Sequence, residues 1–106
     1  MANTRDIISP PTEKAATVRS IATMLGTTIT DAKGFTCLWF GIQNKDAAKI
    51  LYVQDDNDAT VANDNVEIAA GVYKAYPPCR SKYDLREEFI RVSADDPVFS
   101  IEVMWG

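Results

Sequence analysis

Histidine is absent from the 106 residues. Its absence removes the commonest general base, the commonest zinc ligand and the side chain that switches charge near neutral pH. Cysteine is scarce. Cys37 and Cys79 stand far apart, form no CxxC pair, and cannot complete a zinc site without histidine. They would bridge only if the fold brought them close, and free thiols are the expectation in a chain with no secretion signal. The opening stretch MANTRDIISPPTEK has no apolar h-region. No apolar run approaches the roughly 20 residues that cross a bilayer as a helix. Basic clusters are missing as well: 11 Lys and Arg are scattered singly among 15 Asp and Glu, for a net charge of −4. That balance argues against a nucleic-acid partner or an anionic membrane surface. The expected setting is a reducing cytoplasm, or a particle assembled there.

Catalytic and cofactor motifs are equally thin. Gly34, Gly41 and Gly71 make neither a GxGxxG nor a GxxxxGK loop, so there is no phosphate cradle and no cofactor is expected. Serine and cysteine nucleophiles lack a histidine partner. Glu87-Glu88 and Asp95-Asp96 are adjacent pairs, which a strand would point to opposite faces. Trp39, Phe40 and Trp105 have no interleaved basic residues and suit a core or an interface better than a base-stacking platform.

What is present is strand signal. Hydrophobic residues make up 46% of the chain, enough for one modest core in a single domain. Residues 1–14 are polar and hold Pro10-Pro11, which disfavour helix and central strand, so this segment reads as an extended or flexible N-terminal arm. AATVRSIATML at 15–25 is ambiguous. Val18, Ile21, Ala22 and Leu25 fit a helical stripe stopped by Gly26, while the β-branched residues and threonines favour a strand. The strand is the reading adopted.

GFTCLWFGIQN at 34–44 places Phe35, Cys37 and Trp39 on one face and Leu38, Phe40 and Ile42 on the other. Both faces are apolar, which implies a central strand or a face covered by a neighbouring chain. KILYVQ at 49–54, NVEIAAG at 65–71, VYKAY at 72–76 and a segment around Phe89–Val92 read as short strands. In VFSIEVMWG, Phe99, Ile101, Val103 and Trp105 alternate with polar or flexible partners. Short strands with turns every 8–12 residues predict an all-β fold: a small antiparallel β-sandwich or barrel over 15–106, preceded by the arm 1–14.

The acidic stretch 55–65 carries four aspartates and three asparagines. Laid over a helix–loop–helix calcium pattern, Asp56, Asp58, Asp64 and Glu67 fall on ligand positions. Against it, Val61 replaces the glycine the sharp turn needs, and the flanks read as strands. Solvated turns, in which Asp and Asn side chains bond to their own backbone, account for the composition better. No metal is therefore assigned, and a calcium-dependent binding module stays as an alternative.

The order of the short words has a parallel. Ile42-Gln43-Asn44 ends a strand, Leu51-Tyr52-Val53 forms the next, and Ala69-Ala70-Gly71 makes a turn. A final strand pair follows a Leu-Arg approach at Leu85-Arg86. Over about residues 34–106 this resembles the small β-sandwich structural proteins of tailed bacteriophages, the decoration or cement type. The acidic stretch and the connection YPPCRSKYDLREE have no counterpart in that pattern. The resemblance implies a non-enzymatic virion protein, assembled in the host cytoplasm, that binds the capsid surface and stabilises the head. Its partners would be the major capsid protein and copies of itself, as a homo-oligomer. A head-fibre or tail base module is the alternative within the same class. The interface would draw on Ile7, Ile8, Pro10 and Pro11 of the arm and on Leu38, Phe40 and Ile42.

Overall fold

A computed structural model describes residues 4–10, 18–54, 66–78 and 82–106. The strands are β1 (Arg5–Ile8), β2 (Val18–Ser20), β3 (Thr36–Cys37), β4 (Trp39–Asn44) and β5 (Leu51–Gln54), then β6 (Val66–Ile68), β7 (Tyr73–Tyr76), β8 (Tyr83–Asp84), β9 (Phe89–Val92) and β10 (Phe99–Met104). Two short helices, α1 (Ile21–Leu25) and α2 (Thr27–Lys33), lie between β2 and β3. One four-stranded sheet, sheet A, has the order β1-β10-β4-β7, and a second, sheet B, the order β2-β9-β5-β6. A two-stranded ribbon pairs β3 with β8. All pairings are antiparallel. The fold is all-β, as the turn spacing predicts.

The core lies between the two four-stranded sheets. Sheet A contributes Phe40, Ile42, Phe99, Ile101 and Val103, and sheet B contributes Leu51, Val53, Ile68, Ile90 and Val92. These positions follow the period of two that a half-buried strand imposes. Burying each aliphatic side chain contributes roughly 1.5–3 kcal/mol. An aromatic cluster extends the core toward the ribbon: Phe40 stacks on Tyr76 at 4.5 Å and meets Tyr83 edge-on at 5.2 Å.

Three expectations change. First, 15–25 is not a single strand. Among its described residues, Val18–Ser20 is extended and Ile21–Leu25 is helical. Ser20 caps the helix by accepting the Thr23 N–H at 3.1 Å, and Gly26 ends it at φ 88°. The stripe Ile21, Ala22, Met24 and Leu25 is buried, so tertiary packing overrides the strand propensity. Second, 34–44 is not one continuous strand. The chain bends at Leu38 and leaves the ribbon for sheet A, so alternation resets and Cys37 and Phe40 both enter the core. Third, part of the arm belongs to this chain's own sheet. β1 pairs along β10, with Ile7 opposite Glu102 and Ile8 opposite Ile101. The Trp105 N–H donates to the Thr4 carbonyl at 2.8 Å, and the Trp105 indole N–H donates to Asp6 Oδ2 at 2.8 Å.

Candidate functional site

The outer face of sheet A is built from alternate residues of its four strands. Register places Ile7, Glu102, Gly41 and Ala75 in one cross-strand row, and Ser100, Gln43 and Tyr73 in the next. Gly41 sits centrally in an otherwise bulky strand, and the reason is steric. A Cβ there would lie within 2.6 Å of Tyr73 Cζ, so the absent side chain is the floor on which the Tyr73 ring rests. From that position the Tyr73 hydroxyl donates to Glu102 Oε1 at 2.8 Å. Arg5 approaches the other carboxylate oxygen at 3.3 Å. Partial desolvation, with the Glu102 carboxylate beside it, raises the Tyr73 hydroxyl above its ordinary pKa.

The result is a carboxylate held between a cation and a phenol, with apolar groups on both sides. A groove of about 220 Å³ runs between Ile7 and Tyr73, floored by Gln43 and Ser100 and flanked by Lys45 and Glu102. Ile7 is 59% exposed and Val98, just before β10, is 58% exposed. Val72 and Tyr73 are exposed as well. Val72 and Val98 flank the end of β4, where their carbonyls accept the Asn44 and Lys45 N–H groups. Ile7, Tyr73 and Val98 share this face, whereas Val72 lies at its edge with its side chain on the other side of the sheet; exposed apolar side chains that share a face mark a contact surface.

A second depression, of about 360 Å³, lies where α1 and α2 meet the β8–β9 connection, with Thr23, Thr27, Thr30, Asp31, Phe35 and Arg86 among its lining residues. Its cation is already engaged. Arg86 grips Asp84 through Nε at 3.0 Å and Nη2 at 2.8 Å, and lies 4.6 Å over the Phe35 ring. That ion pair lowers the Asp84 carboxyl pKa and raises that of the guanidinium.

The residues expected at an interface separate. Ile7 lies on the exposed face, while Ile8 is half-buried against the core. Pro10 is half-buried, and Pro11 lies outside the described residues. Leu38 is half-buried and packs close to Gly106. Phe40 and Ile42 are fully buried between the sheets and offer nothing to another chain. They correct the expected interface: the apolar second face of 34–44 is covered by sheet B of the same molecule. Of the calcium candidates, Asp56, Asp58 and Asp64 lie outside the described residues, and Glu67 is an exposed side chain on β6 opposite Tyr52. Cys37 is buried and free, and Cys79 lies outside the described residues. No described helix is long and apolar enough to cross a membrane.

Sequence reasoning passed over Tyr73, Glu102 and Gly41. One signal was available: a glycine inside an apolar strand marks a close approach by another group. Comparison with known proteins adds no further constraint. A scan against protein-family models finds no match, and a search of curated proteins finds no similar sequence.

Proposed function

We propose that the chain is a non-enzymatic subunit of a larger particle, a capsid decoration protein of the kind its sequence resembles, located in the virion. The observation that carries the reading is the outer face of sheet A, where Ile7, Tyr73 and Val98 stand exposed around the Arg5–Glu102–Tyr73 cluster. The charges there are mutually satisfied, an arrangement for docking and orientation rather than for proton transfer. Four short strands at ~4.8 Å spacing present a face of about 400 Å², half of the ~800 Å² per partner in a standard interface. A contact of that size is weak alone and becomes strong through repetition on a lattice.

The test is cosedimentation of the purified protein with assembled phage heads that lack it. The expected result is saturable binding that raises the heads' resistance to heat, and that weakens on Ile7→Asp. Absence of binding by the unaltered protein, or binding indifferent to Ile7→Asp, overturns the reading.

A further inference from the structure

Both edges of sheet A are free among the described residues: β1 and β7 each have a sheet neighbour on one side only. Their backbones can be oriented from single bonds. The Trp105 N–H donates to the Thr4 carbonyl, so the ladder toward β10 uses Thr4, Asp6 and Ile8. The N–H and C=O of Arg5 and Ile7 therefore point away from the molecule. On the other edge the Asn44 N–H donates to the Val72 carbonyl, so Val72, Lys74 and Tyr76 face β4. Tyr73 and Ala75 turn their backbone groups outward. The strand order also makes β1 and β7 run in opposite directions. A second copy set alongside in the same orientation thus brings its β1 antiparallel to β7.

We infer that this protein associates head-to-tail with copies of itself, the β1 edge of one copy pairing with the β7 edge of the next in the register Ile7 opposite Tyr73. The inference rests on the assembly reading above and names its partner. Three properties select the register. The outward-facing backbone groups meet: Ile7 with Tyr73 and Arg5 with Ala75. Side chains match pair by pair, since Ile7 meets Tyr73, Ile8 meets Val72, and Asp6 meets Lys74. Such apolar and opposite-charge pairs directly across two strands are the stabilising kind. A slip of two residues in either direction sets Asp6 against Val72 or Ile8 against Lys74 and loses these matches. Pro77 lies just beyond β7 at an outward-facing position and denies a donor to any longer pairing. The contact joins unlike edges, so it propagates, and it closes into a ring where the rotation per copy permits.

The experiment is disulfide trapping in a Cys79→Ser background. Ile7→Cys and Tyr73→Cys are prepared as separate proteins and mixed under mild oxidation. Within one molecule these positions sit three strand spacings apart, about 14 Å, too far to bridge. Between copies, a hydrogen-bonded antiparallel pair places the Cα atoms about 5.5 Å apart, within disulfide range. The expected result is a mixed dimer from the pair, and a ladder or closed ring from the double variant. The off-register mixture of Ile7→Cys with Ala75→Cys should react about tenfold more slowly or worse, because diagonal neighbours lie beyond ~7 Å.

Ala75→Pro supplies an independent arm. It deletes an outward N–H without touching the β4 ladder, and should abolish association while leaving the circular dichroism spectrum intact. Equal cross-linking in both mixtures, or an oligomer indifferent to Ala75→Pro, overturns the inference while leaving the assembly reading standing. So does a monomer that still binds heads. A monomer that neither cross-links nor binds heads overturns both.

Discussion

The side chain of Asn44 ties the two sheets together through Ile68. Its Nδ2 donates to the Ile68 carbonyl at 3.0 Å and to the Lys49 carbonyl at 2.9 Å, and its Oδ1 accepts the Asp46 N–H at 3.0 Å. Asn44 ends β4 in sheet A and is fully buried, whereas Ile68 ends β6 in sheet B. A buried amide with its donors and acceptor engaged specifies how the layers align. Asn44→Ala should strand these backbone partners and lower stability by about 2–4 kcal/mol. In urea the midpoint falls and the slope is unchanged. Asn44→Asp should be worse at neutral pH, where a carboxylate faces two carbonyls, and should recover part of the loss as acid restores a donor. Wild-type stability in either variant would remove the tie from the account.

Asp46 sets the acid limit of the turn that follows. Its Oδ1 accepts the Ala48 and Lys49 N–H groups at 3.0 Å each, and its Oδ2 accepts the Val98 N–H at 3.1 Å. These bonds favour the charged form and lower the carboxyl pKa to about 2. A depressed folded-state pKa stabilises fully above the unfolded value near ~3.9, and the stabilisation is lost as pH falls through the folded value. The melting temperature of wild type relative to Asp46→Asn should therefore shrink between about pH 4 and pH 2 and vanish below. A difference that stays constant across that window would mean the carboxylate does not hold the turn.

Gly41 and Tyr73 form a testable couple. Gly41→Val should expel the Tyr73 ring, break its bond to Glu102 and cost about 1–3 kcal/mol. Tyr73→Ala alone should cost less, because the ring lies on the surface. The double variant should be more stable than the sum of the two losses implies, since the clash and the lost ring are one event. Additive losses in a thermal-unfolding cycle would refute the packing of the ring on the glycine.

Cys37 is fully buried, and burial, with the Glu88 charge adding to it, pushes its thiol pKa up to about 12. A thiol in that state is inert, because the thiolate is the reactive species. In a Cys79→Ser background, a disulfide-exchange reagent at mildly alkaline pH should modify Cys37 only as fast as the protein opens. Immediate labelling of folded protein would contradict the position of β3 in the core.

The sheets were legible because their signal is local. Phe99, Ile101, Val103 and Trp105 alternate in sequence as they do in space, and Gly71 at φ 79° marks the turn its neighbours announce. What the sequence hid depends on partners far along the chain. Nothing within Ile21–Leu25 says that Leu85 and Glu88 will supply the carbonyls for its first N–H groups, yet those bonds fix the helix start. Phe40 and Ile42 read as a possible interface because a strand apolar on both sides does not declare which neighbour covers it. The surface cluster escaped for a similar reason: Arg5, Tyr73 and Glu102 are scattered in sequence, and only the pairing of β1, β10, β4 and β7 brings them together.

The junction of the two chain ends gives the last prediction. Trp105 is 5% exposed, and its indole N–H bonds to Asp6 Oδ2 at 2.8 Å, so a side chain of β1 satisfies a buried donor at the end of β10. A lost partner leaves that N–H dry, at about 1–3 kcal/mol. Asp6→Ala should therefore destabilise the whole domain by that amount and loosen β1 ahead of the rest, because an edge strand with fewer ties opens at lower free energy than the core. Hydrogen exchange should show the change first at Asp6 and Ile8, whose amides face β10, and at Ile101, whose amide faces β1, while Ile42 and Glu102, whose amides face β7 and β4, keep their protection. Asp6→Asn retains an acceptor oxygen and should restore most of the loss. Global destabilisation equal in both variants would assign the effect to charge rather than to the indole bond. Unchanged exchange in Asp6→Ala would mean that the backbone ladder alone keeps β1 on the sheet.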